Sequence, residues 1–326
     1  MKVAVLGAGA WGTALALILH RRLHDVLLWG HDAKHLAEMQ SAGRNDRYLP
    51  GIDLPRNWGF EPDLSRAVAG AECVVIAVPS KAIRMATAAL AGYRGILVSV
   101  TKGIEHDTGL TMSGVIEANA PQAKIAALSG PTLAQEVSRG IPTAMVAASR
   151  DLATAQAVQE SFHSVPLRVY TSTDLIGVEM GGALKNVVAI AAGVCDGLGF
   201  GDNSKAALLT RGIVEIRRLG VACGALPDTF AGLSGLGDLT VTCFSKLSRN
   251  RGLGERLGRG EKLEDIMASS VAVAEGYPTA KAAYQLARRL KVSTPIIDEV
   301  HAVLYEGKNV AKALRDLIGR ESKAED

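Results

Sequence analysis

The sequence predicts an α/β protein in which an N-terminal doubly wound sheet is followed by an all-α C-terminal domain. Short apolar runs alternate with helical periods in the first half of the chain, as they do when helices cover both faces of a parallel sheet. After Tyr170 the helical period dominates. Only 4% of the 326 residues are aromatic, which favours small-residue helix and sheet contacts over an all-β core.

The individual elements follow from apolar runs and their spacing. Strands are expected at residues 2–6, 25–29, 73–78, 96–100, 124–128 and 144–148. The helices between them are expected at 11–22, 33–42, 64–69, 81–91 and 112–120. In the second half, helices are expected at 174–199, 205–220, 251–257, 263–268, 279–290, 296–305 and 310–318. We expect the two domains to be residues 1–176 and 177–326.

Charge and cysteine content narrow the class of protein. The net charge is only +3 and the basic residues are spread along the chain, so nucleic acid is not an expected partner and phosphorylated small molecules suit it better. The four cysteines are far apart in sequence, which indicates neither a disulfide framework nor a zinc ribbon. Residues 3–20 lack formal charge, but glycines interrupt them and no cleavage site follows. We therefore expect a cytoplasmic protein without stable membrane insertion.

A glycine-rich turn follows the first predicted strand. Residues 7–12 read GAGAWG, which has the spacing G-x-G-x-x-G, and an apolar helix follows at once. In this context Gly7 makes the tight turn, Gly9 lets the backbone approach a pyrophosphate, and Gly12 lets the helix pack on the strand. The pattern predicts a Rossmann-like unit, so residues 1–176 are the expected dinucleotide-binding domain. The alternative is a glycine-rich turn without a ligand.

The end of the second strand bears on the choice between NAD and NADP. An acidic residue there normally binds the ribose 2′-hydroxyl of NAD. Here the strand is followed by His31 and Asp32, with Lys34 close behind. His31 tolerates a 2′-phosphate and Lys34 favours one, whereas Asp32 opposes it. We expect NADP, with NAD also open.

Lys185 is the candidate proton donor. Carbonyl reduction requires a proton at oxygen when hydride arrives at carbon. Lys185 interrupts a helix of apolar and small residues, where a lysine is costly to bury unless it is paired or functional. Asp238, in a predicted glycine-rich loop of the second domain, is a candidate partner that would orient it. The alternatives are a lysine that reaches solvent and an aspartate that caps a turn.

Two further places suit a phosphorylated substrate. Lys102 directly follows a predicted strand, where open sheets place ligand-binding residues, although loop lysines are common there. Residues 248–252, with the sequence SRNRG, open a predicted helix. Two arginines in a first turn oppose the helix dipole, so an anion in front of them, such as a phosphate, is expected. Exposed arginines behind a serine cap are the alternative.

Taken together, the motifs resemble those of bacterial NAD(P)-dependent glycerol-3-phosphate dehydrogenases over nearly the whole chain. The matching segments are GAGAWG at 7–12, VPS at 78–80, TKG at 101–103, LSGPTLAQEV at 128–137, LKN at 184–186, GDNSKAA at 201–207, GLGDL at 235–239, SRNR at 248–251 and AEG at 274–276. The resemblance implies interconversion of dihydroxyacetone phosphate and sn-glycerol 3-phosphate, which feeds phospholipid synthesis. We also expect a homodimer.

The resemblance also implies roles for individual residues. Lys185 is the expected proton donor or acceptor, with Asp238 and Lys102 as further catalytic residues. The residues expected around the substrate are Lys102, Gly130, Thr132, Lys185, Asp238, Ser248, Arg249 and Asn250. Those expected at the cofactor are Gly7, Gly9, Ala10, Trp11, Gly12, His31, Lys102, Ala134, Arg249, Val273 and Glu275. The family usually has Arg in place of His31 and Ser in place of Thr132.

Three alternatives stay open from the sequence. A β-hydroxyacid dehydrogenase or ketopantoate reductase also joins a dinucleotide fold to a helical domain, but should lack the SRNR segment. A dinucleotide sensor without turnover would not need both Lys185 and Asp238. A metal enzyme is suggested only by two i, i+4 histidine pairs, at residues 20/24 and 31/35. These pairs lack a third convergent ligand, so no metal is expected.

Overall fold

The computed structural model describes residues 1–269 and 274–321. The chain divides into two compact units. Unit 1 comprises residues 1–105 and 110–179, and unit 2 comprises residues 106–109 and the chain from residue 180 onward. The boundary expected at residues 176/177 falls in the first turn of a long helix, Leu175–Gly197.

Unit 1 is built on a twisted sheet. Its strands are β1 Lys2–Leu6, β2 Asp25–Trp29, β3 Arg44–Asn45, β4 Leu49–Asp53, β5 Gly59–Glu61, β6 Cys73–Ile76, β7 Ile96–Ser99, β8 Lys124–Ser129, β9 Thr143–Ala148 and β10 Leu167–Ser172. In the described residues, eight of these strands form one sheet in the order β10-β9-β8-β7-β6-β1-β2-β5, and β3 pairs with β4 in a separate hairpin. The strand runs expected from the sequence therefore lie in one sheet.

The central strands are almost entirely apolar because both of their faces are covered. Alternate residues of β1 enter different core clusters: Val3 and Val5 pack in one, and Ala4 and Leu6 in the other. This is the alternation that a strand with two buried faces requires. The doubly wound α/β class is confirmed.

Helices follow most of the strands of unit 1. They are α1 Ala10–Arg21, α2 Ala33–Ala42, α3 Leu64–Val68, α4 Ile83–Ala88, α5 Met112–Asn119, α6 Ala134–Ser138 and α7 Leu152–Phe162. Asp32, Asp63 and Asp151 cap α2, α3 and α7 by accepting hydrogen bonds from N–H groups of the first turn.

One edge of the sheet departs from the parallel arrangement expected for residues 144–148. β9 pairs antiparallel with β8, and β10 then pairs parallel with β9. The connection between β8 and β9 contains only the five-residue helix α6. Such a helix spans about 8 Å, much less than the about 20 Å of a six-residue strand. It therefore does not return the chain to the start of β8.

Unit 2 is helical, as expected. Its helices, including α8, which begins just before the unit boundary, are α8 Leu175–Gly197, α9 Asp202–Ala222, α10 Asp238–Phe244, α11 Arg249–Gly258, α12 Leu263–Ser269, α13 Gly276–Leu290, α14 Pro295–Tyr305 and α15 Val310–Ile318. α8 has the length and hydropathy of a membrane span, but 89% of its apolar stretch is buried inside the protein. It is therefore a core helix.

Two buried glutamates cap helices that are distant in sequence. Glu179 accepts the Ser113 N–H at 2.8 Å near the start of α5. Glu215 of α9 accepts the N–H groups of Ile296 and Ile297 at 2.8 and 3.2 Å, at the start of α14. Each carboxylate thus satisfies helix N–H groups that have no partner within their own helix.

Candidate active site

The glycine turn connects β1 to α1, as the sequence predicts. Gly7 has a φ of +128°, and a Cβ there would lie 2.5 Å from the Ala77 carbonyl oxygen. A Cβ on Gly12 would lie 1.9 Å from the Gly7 carbonyl oxygen. Gly9 differs, because its added Cβ would meet no atom of the described residues within 4 Å. The protein's own packing requires Gly7 and Gly12, whereas the space at Gly9 is open to a ligand.

The start of α1 suits an anion. Among the described residues, no side chain caps this end, and the residue before the helix is Gly9. The first N–H groups of a helix lack partners within the helix, and the helix dipole favours negative charge in front of them. Ala10 and Trp11 belong to this first turn. The residues present therefore fit the pyrophosphate of the expected dinucleotide.

The tip of β2 leaves His31 exposed and directs Asp32 towards α2. Asp32 accepts the His35 N–H at 3.0 Å, and its carboxylate lies 3.7 Å from Arg47 Nη1. The hydrogen bond from the His35 N–H is the largest cause that lowers the pKa of Asp32, and the charge of Arg47 adds to this shift. Arg47 places a positive charge near the end of β2. The sequence does not indicate this role, because Arg47 follows α2 and not β2.

Asn45 supports the glycine turn from β3. Its side chain is buried, and its Nδ2 donates to the Ala8 carbonyl oxygen at 3.0 Å and to Thr13 Oγ1 at 2.8 Å. One amide therefore ties the turn to the first helix. The sequence gives no signal for this role, since a single Asn in a polar segment is ordinary.

The ends of β7 and β8 bring Lys102, Gly130 and Thr132 together. Lys102 Nζ donates to the Gly130 carbonyl oxygen at 3.2 Å, and Thr132 Oγ1 donates to the same oxygen at 3.1 Å. Gly130 has a φ of +142°, and a Cβ there would lie 2.9 Å from Met145 Cα, so this position requires glycine. β1, β6, β7 and β8 are parallel. Their carboxyl ends share one edge of the sheet, which is where open α/β sheets bind ligands.

Lys185 lies in α8 and is buried against a carboxylate. Its Nζ is 2.9 Å from Asp238 Oδ1, and the two side chains are 7% and 2% exposed. Lys185 Nζ also donates to Thr242 Oγ1 at 2.6 Å, and Thr242 Oγ1 donates to Asp238 Oδ1 at 3.2 Å. The pairing of Lys185 with Asp238 that the sequence suggests is present. Because both charges are poorly solvated, the loss of either partner is costly.

Asp238 does not lie in a loop, contrary to the sequence prediction. It is the first residue of α10, and residues 233–237 before it form a π-helical turn. The glycines allow close packing there, since a Cβ on Gly235 would lie 2.2 Å from the Phe230 carbonyl oxygen. Thr242 follows Asp238 by about one helical turn, so both face Lys185. Sequence reasoning misses Thr242, although its i, i+4 spacing from Asp238 was the available signal.

The SRNR segment opens α11, as predicted, but its two arginines differ. Ser248 caps the helix by accepting the Arg251 N–H at 3.2 Å. Arg249 is exposed at the first helical position. Arg251 is buried, and its guanidinium pairs with Asp196 at 2.6 Å and with Glu255 at 3.0 Å. The expectation that a ligand anion balances both arginines is wrong for Arg251, because internal carboxylates balance it.

Asn250 joins three helices. Its Nδ2 donates to Asn186 Oδ1 at 2.8 Å, and its Oδ1 accepts the Gly276 N–H at 2.8 Å. Asn186 follows Lys185 on α8, and Gly276 begins α13. The Asn250 side chain therefore fixes the start of α11 against α8 and α13.

The remaining expected cofactor residues belong to both units. Ala134 is half-buried in unit 1, and Glu275 is half-buried in unit 2. Val273 lies outside the described residues.

The glycine turn of unit 1 and the buried pair of Lys185 and Asp238 in unit 2 define a class of protein. This class is that of the two-domain nicotinamide-dependent oxidoreductases with a helical second domain. Comparisons with known proteins identify the family within this class. Residues 2–155 match the family described as NAD-dependent glycerol-3-phosphate dehydrogenase N-terminus, and residues 174–315 match the corresponding C-terminus. The chain belongs to the NAD-dependent glycerol-3-phosphate dehydrogenase family.

Individual relatives agree with this assignment over the full length. A glycerol-3-phosphate dehydrogenase [NAD(P)+] of Chlorobium phaeobacteroides (strain BS1) is 48% identical, over 100% of this chain and 99% of its own. One from Geobacter sulfurreducens is 48% identical, over 99% and 98%. The crystal structure of glycerol-3-phosphate dehydrogenase from Coxiella burnetii is 36% identical, with a TM-score of 0.94 over 98% of this chain and 99% of its own.

Proposed function

We propose that the protein interconverts dihydroxyacetone phosphate and sn-glycerol 3-phosphate by hydride transfer with NADPH or NADH. The buried pair of Lys185 and Asp238 carries this proposal, because it holds a proton donor beside its counter-charge. Membership of the glycerol-3-phosphate dehydrogenase family supports dihydroxyacetone phosphate and sn-glycerol 3-phosphate as the substrates. The product is a precursor for phospholipid synthesis.

The dinucleotide belongs to the glycine turn of unit 1. Gly7, Gly9 and Gly12 shape the turn, and the first N–H groups of α1, at Ala10 and Trp11, bind the pyrophosphate. A bound nicotinamide dinucleotide supplies the hydride in the direction of reduction.

NADP is the favoured dinucleotide in this proposal. His31 is exposed at the tip of β2, and Arg47 lies near Asp32. The Asp32 carboxylate is engaged with the start of α2 and with Arg47, so its opposition to a 2′-phosphate is weakened. A higher kcat/KM with NADPH than with NADH is expected, and a preference for NADH would contradict the role of His31.

Lys185 moves the proton in the proposed reaction. In reduction its ammonium donates a proton to the alkoxide oxygen, and in oxidation the amine accepts one from the hydroxyl. Asp238 stabilises the charged form, and Thr242 fixes the ammonium by accepting its hydrogen bond. Lys102, with Gly130 and Thr132, remains a proposed substrate-binding group of unit 1.

The substrate phosphate binds at the start of α11 in this proposal. Arg249 supplies an exposed positive charge, and the helix N-terminus adds its dipole. The Ser248 oxygen caps the helix by accepting the Arg251 N–H, and in this proposal its hydroxyl proton is donated to the phosphate. Because the Asn250 side chain is engaged by Asn186 and Gly276, we assign its backbone N–H to the phosphate. Binding a non-reacting phosphate orients the carbonyl for hydride transfer.

The test is a spectrophotometric assay of NADPH and NADH oxidation with dihydroxyacetone phosphate. Oxidation that depends on this substrate and forms sn-glycerol 3-phosphate is expected. Dihydroxyacetone, which lacks the phosphate, should have a kcat/KM lower by on the order of a hundredfold or more. Reduction of ketopantoate or a β-keto acid, with none of dihydroxyacetone phosphate, would contradict the proposal.

Two further properties remain predictions of the sequence. The protein is expected in the cytoplasm, and it is expected to be a homodimer. Light scattering of the purified protein gives the number of subunits.

A further inference from the structure

A second group of charged side chains with little exposed surface lies in unit 2, outside the residues assigned so far. Asp196, near the end of α8, lies between two cations: its Oδ1 is 2.5 Å from Lys205 Nζ on α9, and its Oδ2 is 2.6 Å from Arg251 Nε on α11. The side chains of Asp196, Lys205 and Arg251, which form the Asp196 cluster, are 14%, 8% and 10% exposed. One carboxylate thus joins three helices.

The surroundings of the Asp196 cluster add further charge pairs. Arg251 Nη1 is 3.0 Å from Glu255 Oε2, and the other carboxylate oxygen of Glu255 pairs with the exposed Arg259. The Lys205 ammonium also lies 5.0 Å from the centroid of the Phe244 ring, within range of a cation–π contact. Charges that are this poorly solvated persist only when they are paired. Each charge of the cluster is therefore paired within the protein, and the cluster joins three helices.

α11 crosses α8 at very short range, and both helices carry glycines at the crossing. A Cβ on Gly193 of α8 would lie 1.9 Å from the Arg251 carbonyl oxygen, and a Cβ on Gly254 of α11 would lie 1.9 Å from the Ile190 carbonyl oxygen. Glycines permit this approach, but they offer no side chains to lock one helix against sliding or rotating on the other. The pair of Asp196 and Arg251 supplies an attraction between opposite charges that links α8 to α11.

The first turn of α11 carries the residues that we assign to the phosphate. Arg249 and Asn250 directly precede Arg251 in that turn. On α8, Asp196 follows Lys185 by about three helical turns, so the two lie on nearly the same face. α8 therefore holds the start of α11 at two points, through Asn186 and Asn250 and through Asp196 and Arg251.

We propose that Asp196 is a positioning residue for substrate binding. It holds Arg251, with Lys205 as the second counter-charge, and thereby fixes the orientation in which Arg249 and the Asn250 N–H meet the substrate phosphate. This inference rests on the proposed function. Loss of Asp196 should weaken binding of the phosphorylated substrate more than it slows the chemical step at Lys185.

The test is a kinetic comparison of Asp196→Asn with the wild type. Asn keeps the shape of the side chain but removes the charge shared by Lys205 and Arg251. The KM for dihydroxyacetone phosphate should rise on the order of tenfold or more, because small displacements of a binding group are costly. The kcat and the KM for NADPH should change less than about threefold. Glu261→Gln is the matched control, since it breaks an exposed ion pair with Arg256 of α11 and should leave all three constants unchanged.

A purely structural role predicts a different outcome. In that case the melting temperature falls, the active fraction falls with it, and the KM for dihydroxyacetone phosphate stays at the wild-type value. That result, or a variant that matches the wild type throughout, overturns the proposal.

Asp196→Glu keeps the inference testable if Asp196→Asn does not fold, because it preserves the charge and displaces the carboxylate. A raised KM for dihydroxyacetone phosphate in the folded Asp196→Glu protein supports the proposal, and a wild-type KM overturns it. Failure of the proposed function is distinguishable, because the wild type itself would then not oxidise NADPH with dihydroxyacetone phosphate.

Discussion

The glycine turn of unit 1 and the Lys185 site of unit 2 are built by opposite physical means. The turn uses backbone and empty space: Gly7 and Gly12 are required by contacts of 2.5 and 1.9 Å that a Cβ would make, and Gly9 faces open space. The Lys185 site uses buried charge, with an ammonium and a carboxylate 2.9 Å apart and almost without solvent.

This difference determines how each region should fail. A change in the turn acts through shape, so it should alter packing or dinucleotide affinity without changing any charge. A change at Lys185 or Asp238 leaves a partner charge buried and unpaired, so it should act on the chemical step and on stability. The two regions should therefore give separable defects.

The largest expected effect is on turnover when Lys185 is replaced. Lys185→Met removes the proton donor, and kcat should fall on the order of a thousandfold, within the range for loss of a general acid. Lys185→Arg is the control for charge alone, because it can pair with Asp238 but holds its proton too tightly to exchange it. Steady-state kinetics with dihydroxyacetone phosphate measures both. Near-normal turnover in Lys185→Arg would mean that Lys185 serves only as a charge.

The next largest effect is expected in the glycine turn, where two similar substitutions should fail differently. Gly12→Ala places a Cβ against the Gly7 carbonyl oxygen, so it should lower the melting temperature and abolish NADPH binding. The added Cβ of Gly9→Ala meets no atom of the described residues beyond its chain neighbours within 4 Å, so the melting temperature should stay unchanged. Its NADPH affinity should nevertheless fall on the order of tenfold, because the methyl group occupies the space for the pyrophosphate.

Thermal unfolding and fluorescence titration with NADPH separate these two outcomes. Gly92→Ala is the matched control, since its added Cβ also meets no atom of the described residues within 4 Å and it lies far from the turn in sequence. It should match the wild type in both measurements. Unchanged NADPH affinity in Gly9→Ala would remove the reason for placing the pyrophosphate at this turn.

The smallest expected effect is on the pH dependence of stability. It concerns Glu215, a buried residue of unit 2 that takes no part in the proposed reaction. Burial raises the pKa of Glu215 from 4.5 to about 7, although the Ile296 and Ile297 N–H groups oppose this shift. The folded state then binds the proton more tightly than the unfolded state. The resulting stabilisation is complete below pH 4.5 and is lost as the pH rises to about 7.

Glu215→Gln should flatten this part of the pH dependence. Gln still accepts a hydrogen bond at the start of α14 but does not ionise. Urea denaturation measures how far the free energy of unfolding decreases from about pH 5 to about pH 8. This decrease should be ~1–3 kcal/mol smaller in Glu215→Gln than in the wild type. Glu264→Gln, which replaces an exposed carboxylate, is the control and should retain the wild-type pH dependence. An equal decrease in Glu215→Gln and wild type would contradict the raised pKa.

The sequence predicts the fold well where periodicity is strong and long. The runs at β1, β6 and β7 are largely apolar on both faces, α8 is buried on nearly every side, and α9 buries one continuous stripe. Prediction misses α7 and β10, and it misses the antiparallel direction of β9. Direction depends on how the chain returns after β8, and α6 has only five residues, which is too short for a clear period.

The site is predictable where a residue type conflicts with its surroundings. Lys185 is conspicuous because it is a charge in an apolar helix, and the glycine spacing is conspicuous because of its fixed order. Thr242, Asn45 and Asp196 are ordinary residues in polar or mixed segments, so only their hydrogen bonds and ion pairs give them a role. The pairing of Asp238 with Lys185 is predicted, but the loop predicted around Asp238 is wrong. The glycines there allow close packing of helices and do not form a loop.

The central claim is that dinucleotide binding and proton transfer are carried out by separate groups, the glycine turn and Lys185. Its most direct test is the dissociation constant of NADPH for the Lys185→Met protein, measured by fluorescence titration on the same sample whose turnover is assayed. We expect a dissociation constant within about threefold of the wild type together with the loss of turnover. A loss of NADPH binding that parallels the loss of turnover would contradict the claim.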